Sequence, residues 1–299
     1  MLGISGAAPV ERLMRRVGFR FGVGRFVAGE SLDAAMEVLA RLDRDGMDHV
    51  LDLLGEFVDT REGVQDMVNQ VLLTLDRLGG SGLAPYMSVK PTQLGLGLDP
   101  KLALGNASEV LRRAQQAGAH VCLDMENHPH TEGTLELFRN LQQQGFSNVS
   151  TVLQSYLHRT MDDMRTMAAE FPAAQVRIVK GAYKEPASVA HQDYPSIAAA
   201  YLEMVDIALE AGMHVNVATH DERLIRAVEE RVKAANIGRD RYEFQMLYGI
   251  APKLQARLRD EGHAVRIYVP YGHDWYGYYS RRLAERPANL WLVIRGLFG

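Results

Sequence analysis

The predicted fold is α/β, a closed (βα)8 TIM-type barrel, and three observations predict it. Eight short apolar runs alternate with amphipathic helical patterns at intervals of about 30 residues, the signature of βα units feeding a parallel sheet. The runs are continuously apolar, as strands buried on both faces are. No linker or break in composition divides the chain, and 299 residues at 47% hydrophobic content can bury one large core. An open doubly wound sheet is the alternative, but it lacks its marker. No G-x-G-x-x-G follows the first run, and Gly95-Leu96-Gly97 is only a fragment of such a loop.

Taken in order, residues 9–28 are basic and rich in apolar side chains, with Arg12, Arg15, Arg16, Arg20 and Arg25 against Glu11. Two readings stand for this segment: a helix packed on the body with solvated arginines, or an amphipathic arm touching anionic lipid. A helix over Ser31 to Asp45 follows, opened by the Ser31 cap, so the chain divides into an N-terminal helical arm (1–46) and a catalytic barrel (47–299). Strands are expected at 48–54, 85–90, 120–125, 149–155, 175–181, 214–219, 242–247 and 264–269. Helices are expected at 59–78, 102–117, 132–144, 161–170, 196–211, 222–236, 251–261 and 275–286.

Barrel active sites form at the strand C-terminal ends, so the polar residues there are the candidates. They are Glu56, Lys90, Asp124, Glu126, Gln154, Arg177, Lys180, Tyr183, Thr219, His220, Asp221, Gln245, Tyr248 and Tyr268. Asp221 and Thr219 suit helix capping. Lys90, Asp124, Gln154, Arg177 and Lys180 sit in or just after apolar strands, where an unpaired charge is costly, so they must pair with one another or with a ligand. In the last helix, Tyr278, Arg281, Arg282 and Glu285 fall within an arc of roughly 100°. Adjacent guanidiniums suit a bidentate grip on a carboxylate.

A formal charge of −4 and pI near 6.2 give no reason to expect nucleic acid. Cys122, the single cysteine, cannot form an internal disulfide and reads as a buried, inert thiol, which favours the cytoplasm. Neither a membrane span nor export is expected; the lipid reading of the arm would bring the protein to the inner face of the cell membrane. No nucleophile elbow is present. The segment Asp124 to Glu132 could supply divalent-metal ligands, though its two histidines do not match a compact spacing. Arg177 and Lys180 with Gly181-Ala182 and Gln154 suit a cofactor bearing phosphate and a polar ring edge. Three classes stay open on these residues: a cofactor enzyme, a metal-dependent lyase or hydrolase, and a non-catalytic lipid-binding scaffold.

Seven ordered motifs resemble those of the flavin-dependent proline dehydrogenase family, in its monofunctional bacterial form. They are SVKPTQLG (88–95), CLDME (122–126), VLQSYLHRT (152–160), VRIVKGAYKEP (176–186), VATHD (217–221), FQMLYGI (244–250) and RIYVPYGHDWYGYYSRRLAERPAN (266–289). The resemblance implies a distorted (βα)8 barrel holding FAD, with the last helix over the mouth, and no metal. It implies oxidation of L-proline to Δ1-pyrroline-5-carboxylate by hydride transfer from C5 to flavin N5. Electrons would pass to a quinone, and a separate dehydrogenase would consume the product. By resemblance, Arg281, Arg282 and Lys90 would meet the substrate carboxylate, and Tyr183, Leu247, Tyr268 and Tyr278 would surround its ring. Asp124 would lie beside Lys90 and the flavin, and Arg177 near the reactive flavin nitrogen. Met125, Gln154, Lys180, Gly181, Ala182, Thr219 and His220 would line the rest of FAD, and Glu56 would pair with Arg281 as a gate.

Overall fold

The structure, a computed structural model, describes residues 14, 18–56 and 58–285. Eight parallel strands close in chain order into a barrel: β1 (Asp48–Leu53), β2 (Tyr86–Val89), β3 (His120–Leu123), β4 (Val149–Gln154), β5 (Gln175–Val179), β6 (His214–Ala218), β7 (Tyr242–Leu247) and β8 (Val265–Tyr271). The seam joining β8 to β1 runs over six paired positions, from Asp48 opposite Arg266 to Leu53 opposite Tyr271.

Helix α1 (Leu32–Arg44) precedes the barrel, capped by Ser31, whose side chain accepts from the Ala34 N–H. After successive strands come α2 (Arg61–Gly79), α3 (Pro100–Gln116), α4 (His128–Gln143), α5 (Thr160–Glu170), α6 (Tyr194–Ala211), α7 (Glu222–Ala234), α8 (Pro252–Asp260) and α9 (Trp275–Glu285). The eight predicted strands, the helices that follow them and the helix opened by Ser31 are present, with shifted ends, whereas residues 18–25 of the basic segment form 3-10 turns in place of a helix. The helix expected from 132 begins four residues earlier at His128, because Pro129 occupies its first turn, where a missing N–H costs nothing. The fifth strand stops at Val179; Lys180 and Gly181 turn out of the sheet, Gly181 with φ +124°.

Most of the core lies between strands and helices, where Val71, Leu75, Leu78, Leu111, Phe138 and Leu141 are sealed from water. A second cluster joins the N-terminal segment to α9 through Val23, Phe26, Val27, Leu54, Ile250, Trp275 and Tyr279. Residues 18–25 form two short 3-10 turns, and the Ala28 N–H donates to Pro270 O (2.8 Å). Trp275 Nε1 donates to Glu30 Oε1 (2.8 Å). Gly249 lies so close beneath this segment that a Cβ there would fall 1.8 Å from Arg25 O. The described part of the basic segment is therefore packed on the body; Arg12, Arg15 and Arg16 lie outside the described residues.

Candidate active site

The strand C-terminal ends and α9 enclose a cavity of about 950 Å³. Lys90, at the end of β2, is 6% exposed, and its Nζ lies 2.6 Å from Asp52 Oδ1 and 3.9 Å from Asp124 Oδ2. Burial pulls the ammonium down, and the two carboxylates more than reverse this, so Lys90 stays charged. Burial pushes the Asp52 carboxyl up, with Lys90 opposing. Asp124 also accepts from Arg177 Nη1 (2.6 Å) and from the Tyr268 hydroxyl (2.5 Å). Burial, then the charges of Asp124 and Asp52, push the Tyr268 phenol well up, so it is a neutral donor.

Arg177, in β5, is 4% exposed, and its guanidinium is held from several sides. Nε donates to Gln245 Oε1 (2.6 Å) and Nη1 to Ser88 Oγ (3.0 Å), while the Tyr268 ring lies 5.4 Å from its carbon. Its Nη2 is buried without a hydrogen-bond partner. A buried donor left unpaired costs about 1–3 kcal/mol, which an acceptor in the cavity would recover.

On the side reached by β4 to β7, Gln154 Nε2 donates to the Glu126 carbonyl (3.1 Å), turning its Oε1 the other way. Gly181 must be glycine twice over: its φ is positive, and a Cβ would press on the Tyr156 ring at 2.4 Å. Lys180 pairs with Asp221 (3.4 Å), and Asp221 also caps α7 through the Arg223 N–H (3.1 Å). Thr219 Oγ1 accepts from the Asp221 N–H (3.1 Å), which fixes the turn ahead of the helix; the cap itself is Asp221 and not Thr219. His220 Nε2 accepts from the Leu247 N–H (2.9 Å), which puts the proton of the neutral ring on Nδ1. Met125, Ala182, Tyr183 and Leu247 complete this wall. Burial, then Glu56 and Glu126, push the Tyr183 phenol up.

From α9, Tyr278, Arg281 and Arg282 reach the cavity. Arg281 Nη2 lies 2.6 Å from Glu56 Oε1. The guanidinium of Arg282 lies 5.4 Å from the centre of the Tyr278 ring. The other aromatic residues of this stretch serve packing: Trp275 and Tyr279 are buried in the second cluster, and the Tyr271 hydroxyl bonds Thr74 (2.6 Å). Tyr248, at the end of β7, is not among the lining residues; its hydroxyl accepts from Arg41 on α1 (2.7 Å).

Every residue put forward for catalysis, substrate, cofactor or gate lines this one cavity. Sequence reasoning missed Asp52, Ser88 and Gln93. Asp52 had a signal, a carboxylate inside the apolar run His49–Leu54, which a buried strand tolerates only with a cation opposite. Gln93 had none. It ties the turn after β2 to the carbonyls of Leu53 and Gly55 (2.7 Å each), the backbone that leads to Glu56.

Asp124, Glu126 and His130 of the segment proposed for metal ligation are engaged by protein partners, Asp124 by Arg177 and Tyr268. Glu126 is fully buried and accepts from the Thr92 N–H (2.9 Å) and hydroxyl (2.7 Å), and His130 Nδ1 meets Asn127 Oδ1. Among the described residues, the side chains close enough to share an ion are Glu229, Glu261 and His263. None of the three lines the cavity, and Arg257 pairs with both carboxylates.

A family model described as Proline dehydrogenase matches residues 35–293. The chain belongs to the proline dehydrogenase family. It is 42% identical to "Proline dehydrogenase" of Deinococcus radiodurans over 99% of this chain and 96% of that one. It is 36% identical to "Proline dehydrogenase 1" of Bacillus subtilis over 99% and 97%. Among solved structures, proline utilization A from Bdellovibrio bacteriovorus, inactivated by N-propargylglycine, superposes with a TM-score of 0.82 at 25% identity. That match covers 92% of this chain and 33% of the longer one. No helix among the described residues is long and apolar enough to cross a membrane.

Proposed function

We propose that this cavity binds FAD and L-proline together and oxidises proline to Δ1-pyrroline-5-carboxylate. The observation that carries the reading is Arg177, a buried guanidinium lining the cavity with one donor, Nη2, left for an acceptor that the protein does not provide. The rest of the site fits a flavin. The volume is at the upper end for small-molecule pockets, Gln154 offers its amide oxygen, and Gly181 and Ala182 present backbone in the cavity wall.

When bound, FAD would supply the two-electron acceptor that oxidation of the proline C5–N bond requires. The protein's part is to bind and to orient. Arg281 and Arg282 present forks to the substrate carboxylate, and Lys90 adds a charge that Asp52 holds in place. Tyr268, Tyr278, Tyr183 and Leu247 hold the ring and exclude water. Arg177, with Nη2 left unpaired in the cavity wall, would stabilise negative charge on a bound acceptor. The Glu56–Arg281 pair closes over the occupied site. A quinone as electron acceptor, with contact at a membrane face through the basic segment, belongs to the same proposal and is supported by that segment's composition. Water opens the cyclic imine product to an amino aldehyde, which a separate aldehyde-oxidising dehydrogenase would consume.

The test is an absorbance spectrum of the purified protein before and after anaerobic L-proline. Flavin bands that bleach with proline are expected, and Arg177→Met should keep the flavin yet slow bleaching by about 10²-fold or more. A colourless protein, or flavin indifferent to proline, would overturn the reading.

A further inference from the structure

From the cavity wall at Arg177 and Gln245, a line of polar contacts runs down the barrel interior to Glu243 and Arg266, which do not line the cavity. Arg266, in β8, donates Nε and Nη2 to the two oxygens of Glu243 in β7 (2.7 and 2.9 Å). Glu243 Oε1 in turn accepts from Gln245 Nε2 (2.6 Å), and Gln245 Oε1 accepts from Arg177 Nε (2.6 Å). Glu243 and Gln245 are 5% and 2% exposed, so both contacts of Gln245 are made away from water. Arg266 is itself anchored, donating Nη1 to His49 O (3.1 Å) and lying 4.6 Å over the Tyr86 ring.

An amide side chain can bond in either orientation, and its neighbours must decide. Glu243, an acceptor only when ionised, admits the NH2 end of Gln245 and so turns the carbonyl end toward Arg177. Burial pushes the Glu243 carboxyl up, but the Arg266 guanidinium more than offsets it, and the group stays ionised. With Nε fixed by Gln245 and Nη1 by Ser88 and Asp124, the plane of the Arg177 guanidinium has no freedom to turn.

We propose that Glu243 and Gln245 are positioning residues for the reaction, a relay braced by Arg266 that sets the orientation in which Arg177 presents Nη2 to the flavin. This deepens the assignment of Arg177 and rests on it. Without Gln245 Oε1, the guanidinium is held through Nη1 alone and can swing about Asp124. Without the charge on Glu243, the Gln245 amide loses its single orientation, and a donor faces Arg177 part of the time.

The experiment uses flavin-loaded protein and three variants: Gln245→Met, Glu243→Gln and Arg177→Met. Three quantities are read: the flavin midpoint potential, the rate of anaerobic flavin reduction at saturating proline, and the proline Kd from the same titration. Gln245→Met should slow reduction on the order of tenfold and lower the potential, with Kd changed less than about twofold. Glu243→Gln should shift rate and potential in the same direction by less, and Arg177→Met by more. A purely structural role predicts a different pattern, a lower melting temperature with wild-type potential and reduction rate in the loaded fraction. That pattern in both relay variants, beside a shifted Arg177→Met, would overturn the relay while leaving Arg177 in place. An unshifted potential in Arg177→Met would overturn the assignment beneath it, and the relay with it.

Discussion

On the outer side of the barrel wall, Val71, Leu75, Phe138 and Leu141 pack strand against helix with no polar partner to satisfy. On the inner side, Arg177 of β5 reaches Ser88 of β2, and Asn216 of β6 reaches Tyr86 of β2. These strands are not neighbours, so both bonds cross the interior. The outer face tolerates any well-fitted hydrocarbon, because burial there is non-directional. The inner face depends on every donor finding its acceptor, because a buried polar group without one is penalised. Stability therefore belongs mainly to one side of the strands and chemistry to the other, and substitutions should separate along that line.

The largest effect should come from the outer face. Phe138, sealed on α4 and edge-on to Phe171 at 5.8 Å, leaves a void when cut to alanine. Denaturant unfolding of Phe138→Ala should show a loss of about 3–5 kcal/mol, with flavin reduction by proline unchanged per folded, loaded molecule. An equal loss of turnover in that fraction would break the separation. Next comes Arg282→Met at the mouth, expected to weaken proline binding by about 1.5–3 kcal/mol while leaving the melting temperature within a few degrees. Pyrrolidine, which lacks the carboxylate, should show no such loss; an equal loss for both compounds would place the carboxylate elsewhere.

His120 tests the floor of the interior. Burial, then the Arg266 charge, push its imidazole down to about 3, so it stays neutral in the folded protein while the unfolded chain protonates near 6.5. Its contribution is complete above pH 6.5 and is lost progressively as pH falls toward 3. His120→Gln should flatten the pH dependence of stability in that window by about 1.4 kcal/mol per unit, and an unchanged slope would show that His120 is charged in the fold. The smallest effect expected is Glu56→Ala. Arg281 is 38% exposed and screened by water, so about 1 kcal/mol should be lost from proline capture, read from transient flavin reduction, with cofactor binding intact.

How far the sequence could be read follows the same division. Outer-face residues announced themselves by apolar periodicity, and all eight strands and the helices between them were legible from it. The ends were less so: His128 to Thr131 looked like loop because of two histidines and a proline, yet they open α4. At the mouth, charged residues inside apolar strands were conspicuous, and Lys90, Asp124 and Arg177 followed from cost alone. Their partners did not. Asp52, Ser88 and Glu243 come from strands distant in sequence, and which of them meets which is fixed by barrel register, a property that no local pattern carries.

The seam between β1 and β8 bears on how the chain is made. Arg266 reaches the carbonyl of His49 across 217 residues of sequence. A ribosome that has released seven strands holds an unclosed sheet with two bare edges, each a template for pairing with another nascent chain. The barrel cannot seal, nor α9 dock on the N-terminal turns, until the eighth strand emerges. The residues of β1 must therefore wait for those of β8 before their outer edge is paired.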